Sequence, residues 1–131
     1  MESFLLRLND SFIIIPKVLQ FDLVYNRGAA YGIFQNQQFF LIIVSLIIMT
    51  VLVINWKKIA STKYAWLGSI SLMAGALGNF TDRLFRGKVV DFFNIHIIPV
   101  FNVADILINI AIIAYLIDIF LIKTDDETAS T

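Results

Sequence analysis

Polar and apolar positions alternate in long blocks along this chain. The segments 39–56, 64–80 and 101–122 are almost uninterrupted apolar runs, and the only charges inside them are Asp105 and Asp118 in the last. About 20 helical residues at 1.5 Å each cover a hydrocarbon core of roughly 30 Å. The pattern therefore predicts three membrane-spanning helices. The middle run is the shortest and the richest in small residues, with Gly68, Ser69, Ser71, Ala74, Gly75 and Gly78. Small residues let helix backbones approach closely in lipid, where no hydrophobic force draws helices together. This helix is expected at the centre of the packing.

The first 38 residues read differently. Arg7, Asp10, Pro16, Lys17 and Asp22 break every apolar run there, so neither a spanning helix nor a secretory signal is indicated. From 18 to 25 the alternation has period two and suits a strand or an interface-lying segment. The stretch NRGAAYG that follows marks a tight turn or a close backbone approach. After the middle run, VVDFF reads as a second short strand, with Gly87 permitting the turn into it. The expected fold is an α-helical transmembrane bundle with a small extracytoplasmic extended segment. It forms a single integral-membrane domain over 1–131, closing with a polar cytoplasmic tail at 123–131.

Orientation rests on the connection WKKIASTKY, which holds Lys57, Lys58 and Lys63 and no acid. The positive-inside tendency puts that loop in the cytoplasm. The 81–100 connection then lies outside, although Arg83, Arg86 and Lys88 give it as many cations.

Composition narrows the chemistry. The chain has 131 residues, 59% of them hydrophobic, and a mean hydropathy of +0.82, well above a soluble domain. Lys+Arg and Asp+Glu number 10 each, which leaves no basic surplus for nucleic acid. Cysteine is absent and His96 is the only histidine, so thiol nucleophiles, disulfides and thiolate metal sites are excluded. Two aspartates without a His or Cys cluster make a poor transition-metal site. No metal and no cofactor are expected.

Ionisable groups in spanning segments are expensive by a few kcal/mol and call for a reason. Asn102, Asp105 and Asn109 are spaced i, i+3, i+7 on one helical stripe. Ser71, Gly75, Gly78, Asn79 and Asp82 form a second stripe on the middle helix, with Arg83 one turn from Asn79. If the stripes face each other, the loop acid Asp91 can return to the same mouth. Two carboxylates at a low-dielectric boundary share a proton and can serve as base and acid on an amide. Headgroup anchoring is the plain alternative for such charges, and Arg86 and Lys88 are expected to meet lipid phosphates. Asp118 is expected to be an interfacial carboxylate near Lys123.

NRGAAYG at 26–32, GALGNFTDRLFRGKVVDFF at 75–93 and FNVAD at 101–105 resemble, in order, three motifs of the lipoprotein signal peptidases (signal peptidase II). The resemblance covers roughly 18–122. It implies an aspartyl peptidase with Asp91 and Asp105 as its two acids. It also implies that Asn26, Gly28 and Ala30 face substrate, and that Gly75, Gly78, Asn79, Arg83 and Asn102 pack, orient or hydrogen-bond the site. Asp82 is expected to pair with a cation, and His96 is not required.

The implied reaction removes the signal peptide from a bacterial prolipoprotein on the N-terminal side of a diacylglyceryl-modified cysteine. The implied partners are lipid-modified prolipoproteins and membrane phospholipids, for a monomer in the bacterial cytoplasmic membrane with its active site outside. The family normally begins with a further transmembrane helix carrying an Asp and a Lys, and this sequence is expected to start just after it. Two other readings stay open at this point: a truncated, non-catalytic membrane scaffold, and a small proton-coupled carrier using Asp105.

Overall fold

The computed structural model describes residues 11–29 and 33–129. The chain divides into two compact units, one of Met1–Val44 with Asn79–Val103, the other of Ser45–Gly78 with Ala104–Thr131.

The first unit is built on a three-stranded antiparallel sheet with β2 in the middle: β1 (Phe12–Ile15), β2 (Leu19–Asn26) and β3 (Val89–Asn94). β1 turns into β2 through Pro16 and Lys17, the latter at φ 61°, closed by a 3.0 Å bond from Val18 N–H to the Ile15 carbonyl. Proline second and positive φ third are the requirements of a type II turn. β2 meets β3 with Asn26 opposite Val89, Val24 opposite Asp91 and Phe21 opposite Phe93, and the register shifts between Phe21 and Val24. Such a bulge bends the strand and re-aims its side chains. An isolated bridge pairs Phe93 with Phe101. Phe21, Phe92, Phe93 and Phe101 pack there with ring centroids 4.7–6.1 Å apart, within the range of favourable offset and edge contacts. The strands expected at 18–25 and in VVDFF are both present; β1 was not foreseen.

Among the described residues four helices follow the sheet strands and apolar blocks: α1 (Gln38–Ile54), α2 (Trp56–Ile59), α3 (Lys63–Arg86) and α4 (Val103–Ala129). Their boundaries differ from the sequence expectation for physical reasons. α3 runs past 80 to Arg86, because Asn79, Asp82 and Arg83 end the hydropathy but not the helix. Gly87 at φ 65° stops it, its N–H bonding the Arg83 carbonyl at 3.0 Å, the left-handed glycine end common to helices. α4 begins at Val103 because Phe101 is engaged by the sheet. The helix continues into the polar tail expected from 123, ending at Ala129.

Among the described residues one helical segment, Val103–Ile122, is long and apolar enough by length and composition to cross a membrane. Gln38–Ile54 is apolar but has 17 residues.

Burial runs opposite to that of a water-soluble protein. The buried positions of the second unit include Ala65, Ser69, Ala76, Ala111 and Ala114, whereas Ile112, Ile113, Leu116, Ile119 and Phe120 stand exposed. Small residues inside and large aliphatics outside is the arrangement lipid favours. Within this unit a Cβ on Gly75 would lie 2.6 Å from the Ala104 carbonyl oxygen, and one on Gly68 3.1 Å from the Tyr115 ring. α3 and α4 thus meet backbone to backbone along the small-residue face. Ser69 Oγ donates to the Ala65 carbonyl at 2.7 Å and lies 2.9 Å from the Tyr115 hydroxyl. Asp118 accepts from the Thr62 hydroxyl, which itself accepts the Ala65 N–H at the start of α3. Its partner is therefore a helix-capping threonine.

Candidate active site

Asp91 is the buried centre of a polar network in the first unit, only 2% exposed. β3 presents it beside the end of β2, where Asn26 ends the strand and turns the chain. The Gly28 N–H donates to Asn26 Oδ1 at 2.8 Å, an Asx-type turn that orients the amide. With its oxygen committed, Asn26 directs Nδ2 to Asp91 Oδ2 at 3.1 Å and to the Ala29 carbonyl at 3.4 Å. Asn102 serves the other oxygen, its Nδ2 donating to Asp91 Oδ1 at 2.8 Å and to Asn79 Oδ1 at 3.1 Å. Both oxygens of Asp91 thus accept from side-chain amides. An ionised carboxylate only accepts, and a bond to such a charged group is stronger than a neutral one.

Arg83 fastens the 26–29 turn from α3. Its Nη2 donates to the Gly28 carbonyl at 3.1 Å, and Arg83 is buried. Gly28 is required by space: a Cβ there would stand 2.7 Å from both Gln35 Nε2 and the Ile33 carbonyl oxygen. The turn is closed by bonds from Ala29 N–H to the Ile33 carbonyl at 2.7 Å and from Asn36 N–H to the Arg27 carbonyl at 2.9 Å, and Gln38 also donates to the Arg27 carbonyl. Sequence reasoning missed Gln35 and Gln38. Their signal was the polar cluster QNQQ at 35–38, standing directly before an apolar run.

Asp82 accepts the Val90 N–H at 3.1 Å and pairs with Arg86 at 3.7 Å. It ties the entry of β3 to the last turns of α3 and pairs with a cation, as expected. Lys88, expected at lipid phosphates, holds its Nζ 3.3 Å from the Tyr25 ring centroid, a cation–π contact. At the far end of the sheet Asp22 accepts from Asn94 Nδ2 at 2.5 Å and from Gln20 Nε2. The Asn94 amide first, then Gln20, hold its carboxyl below the usual carboxylate range. His96 lies in the turn after β3 at φ 64°, its N–H on Asn94 Oδ1 at 2.8 Å.

The structure therefore gathers Asn26, Gly28, Asn79, Arg83 and Asn102 around Asp91. Ala30 lies outside the described residues. Gly75, Gly78 and Asp105 belong to the second unit. Asp105 stands half-buried in the first turn of α4, where the helix dipole favours a negative charge. Asn102, expected on the helical stripe with it, sits just ahead of the helix instead. Asn109 returns its amide to the Asp105 carbonyl at 2.9 Å, so that polar group is satisfied within its own helix.

A family model described as signal peptidase (SPase) II matches residues 2–121. The chain belongs to the signal peptidase II family. It is 41% identical to a lipoprotein signal peptidase of Lactococcus lactis subsp. lactis (strain IL1403), over 94% of this chain and 81% of that protein. Identity is 39%, with the same coverage, to a lipoprotein signal peptidase of Lactococcus lactis subsp. cremoris (strain SK11). Two solved structures, each described as a bacterial membrane enzyme obtained by the in meso method, share the fold. One has a TM-score of 0.88 at 34% identity, covering 94% of this chain and 78% of its own. For the other the values are 0.79, 35%, 89% and 79%. As a member of this family the chain is a membrane peptidase that removes signal peptides.

Proposed function

We propose that Asp91 and Asp105 are the catalytic pair with which this peptidase removes signal peptides from prolipoproteins. The observation that carries the reading is the setting of Asp91: a nearly inaccessible carboxylate with an amide donor on each oxygen. Asn102, which supplies one donor, precedes Asp105 closely in the chain, just ahead of α4. Hydrolysis of an amide needs one carboxylate to take the proton of the attacking water and another to protonate the departing nitrogen. Asn26, Asn79, Arg83 and Asn102 hold the geometry, Gly28 and Ala30 belong with Asn26 to the substrate-facing turn, and Gly75 and Gly78 serve the packing of α3 on α4. No step calls for a metal.

The substrate proposed is a bacterial prolipoprotein bearing a diacylglyceryl cysteine, cut on the N-terminal side of that residue. Acyl chains on one side and the signal helix on the other would hold the scissile bond at headgroup level. This arrangement assigns α1, α3 and α4 as spanning helices of a monomer in the cytoplasmic membrane. Lys57, Lys58 and Lys63 then face the cytoplasm and the sheet faces outward.

Gel-shift assay of a lipid-modified prolipoprotein in vesicles containing the folded chain tests this reading. Signal-peptide loss with wild type, and its reduction by about 100-fold or more in both Asp91→Asn and Asp105→Asn, is expected for removal of a general acid or base. Unchanged cleavage in either variant overturns the pair, and uncleaved precursor with wild type overturns the reaction.

A further inference from the structure

The register shift in β2 decides which side chains face Asp91. Phe21 stands opposite Phe93 and Val24 opposite Asp91, so Asp22 and Leu23 together oppose Phe92 alone. That is the two-against-one count of a β-bulge. Beyond the bulge Asn26 lies opposite Val89, which sets it diagonal to Asp91 on the same face of the pleat. Had the pairing of Phe21 with Phe93 run on unbroken, Asp91 would face Leu23 and its diagonal neighbour would be Tyr25. Asn26 would then point to the other face, because a slip of one residue exchanges the faces. The 3.1 Å bond from Asn26 Nδ2 to Asp91 Oδ2 therefore requires the bulge.

A side chain of the bulge itself reaches across to β3. Asp22 accepts from Asn94 Nδ2 at 2.5 Å, and from Gln20 Nε2 at 3.0 and 2.9 Å on its two oxygens. Asn94 pairs opposite Gln20, so this clasp joins the bulge to the end of β3. The Asn94 amide is fixed from its other side as well, its Oδ1 taking the His96 N–H at 2.8 Å. Asn94 also opens the loop that Phe93 and Phe101 close, with backbone bonds of 2.8 and 3.1 Å between them. The residue after Phe101 is Asn102, which donates to Asp91 Oδ1 at 2.8 Å. The clasp thus stands at the base of both routes by which an amide reaches Asp91.

We propose that Asp22 is a positioning residue for the catalytic centre: by clasping Asn94 it holds the bulged register in which Asn26 and Asn102 reach the two oxygens of Asp91. Asp22 touches no reacting atom. Its effect on cleavage rests on Asp91 being catalytic, whereas its effect on the Asn26 amide does not.

Inverting the clasp makes the test specific. In Asn94→Asp two carboxylates face each other and neither donates. Adding Asp22→Asn supplies a donor at 22 and leaves a carboxylate at 94 to accept from it and from the His96 N–H. The Asn26 side-chain amide is read by ¹⁵N NMR of the folded chain in detergent and assigned by its loss in Asn26→Ala. Its signal is expected to move toward the free-amide position in Asp22→Ala and in Asn94→Asp, and to return in Asp22→Asn/Asn94→Asp. In vesicles, kcat for a lipid-modified prolipoprotein should fall roughly 3- to 10-fold in either single variant, with a smaller change in KM, and recover in the inverted pair. Within the Asn26→Ala chain, Asp22→Ala should add little further loss. An Asn26 signal that neither single variant moves overturns the proposal. So does an inverted pair no better than Asn94→Asp, or losses from Asp22→Ala and Asn26→Ala that multiply in full. If the Asn26 signal responds as expected while Asp91→Asn cleaves like wild type, the clasp stands and the catalytic reading falls.

Discussion

Asn26 and Asp91 are 65 positions apart and joined by a 3.1 Å hydrogen bond, with the amide held in its donating orientation by the backbone of Gly28. The turn after β2 therefore sets the direction in which the β3 carboxylate points. Asn26 acts on Asp91 as a positioning residue.

Replacing Asn26 by alanine removes one amide donor from the buried Asp91 carboxyl, an interaction of about 0.5–3 kcal/mol. The expected result is a fall in kcat of roughly 2- to 100-fold with a smaller change in KM. Steady-state cleavage of a fluorogenic lipopeptide separates the two. A rise in KM alone would mean that Asn26 contacts substrate and leaves Asp91 unaffected.

Asn102→Ala is expected to act on stability as well. Asn102 is buried and its Nδ2 serves both Asp91 and Asn79, so its loss removes one hydrogen bond from each of two buried partners, at about 0.5–1.5 kcal/mol apiece. Thermal unfolding in detergent should show a lower Tm than wild type. Combined with Asn26→Ala in a double-mutant cycle, it should couple by more than about 0.5 kcal/mol, since both amides hold one carboxylate.

The glycines of α3 should rank by the contact a new methyl would meet. Gly75→Ala drives a Cβ to 2.6 Å from the Ala104 carbonyl oxygen, whereas Gly78→Ala meets only the Ala104 Cβ at 3.2 Å. Overpacking against backbone typically costs about 1–3 kcal/mol, so Gly75→Ala should lower the unfolding temperature clearly more than Gly78→Ala. Equal tolerance would show that α3 and α4 can separate at that point.

Asp22 makes a pH prediction. Donors on its carboxylate depress its pKa in the folded state, so the unfolded chain binds the proton at higher pH than the folded chain. The stabilisation is fully present above the unfolded carboxylate range and is lost as pH falls through the folded value. NMR titration of the Asp22 carboxyl should give a midpoint below that of an unfolded peptide. Asn94→Ala, which removes the donor that lowers it most, should move the midpoint upward.

Much of the architecture was legible in the chain because it depends on local pattern. Apolar runs predicted the helices, period two predicted β2, and the small residues of 64–80 marked a closely packed face. The resemblance of three motifs pointed to both aspartates and to the residues now found around Asp91. Local pattern misplaced Asn102, which follows helical spacing yet precedes the helix, because the pairing of Phe101 with the sheet delays the first turn of α4. Hydropathy likewise ended α3 too early, since polar residues outside an apolar window still propagate a helix until a left-handed glycine stops it.

The sequence by itself determined that this is a membrane chain, which segments are helical, and which short motifs carry its polar chemistry, since these follow from composition and from spacing along one strand or helix. Only the tertiary structure decided that Asn26 and Asn102 each take one oxygen of Asp91, that Arg83 holds the Gly28 carbonyl while Asp82 takes Arg86, and that β1 pairs with the outer side of β2. Those are choices among partners distant in the chain. Hydrogen-bond geometry settles them only after the strands have paired, the register has bulged between Phe21 and Val24, and the turn after β2 has closed.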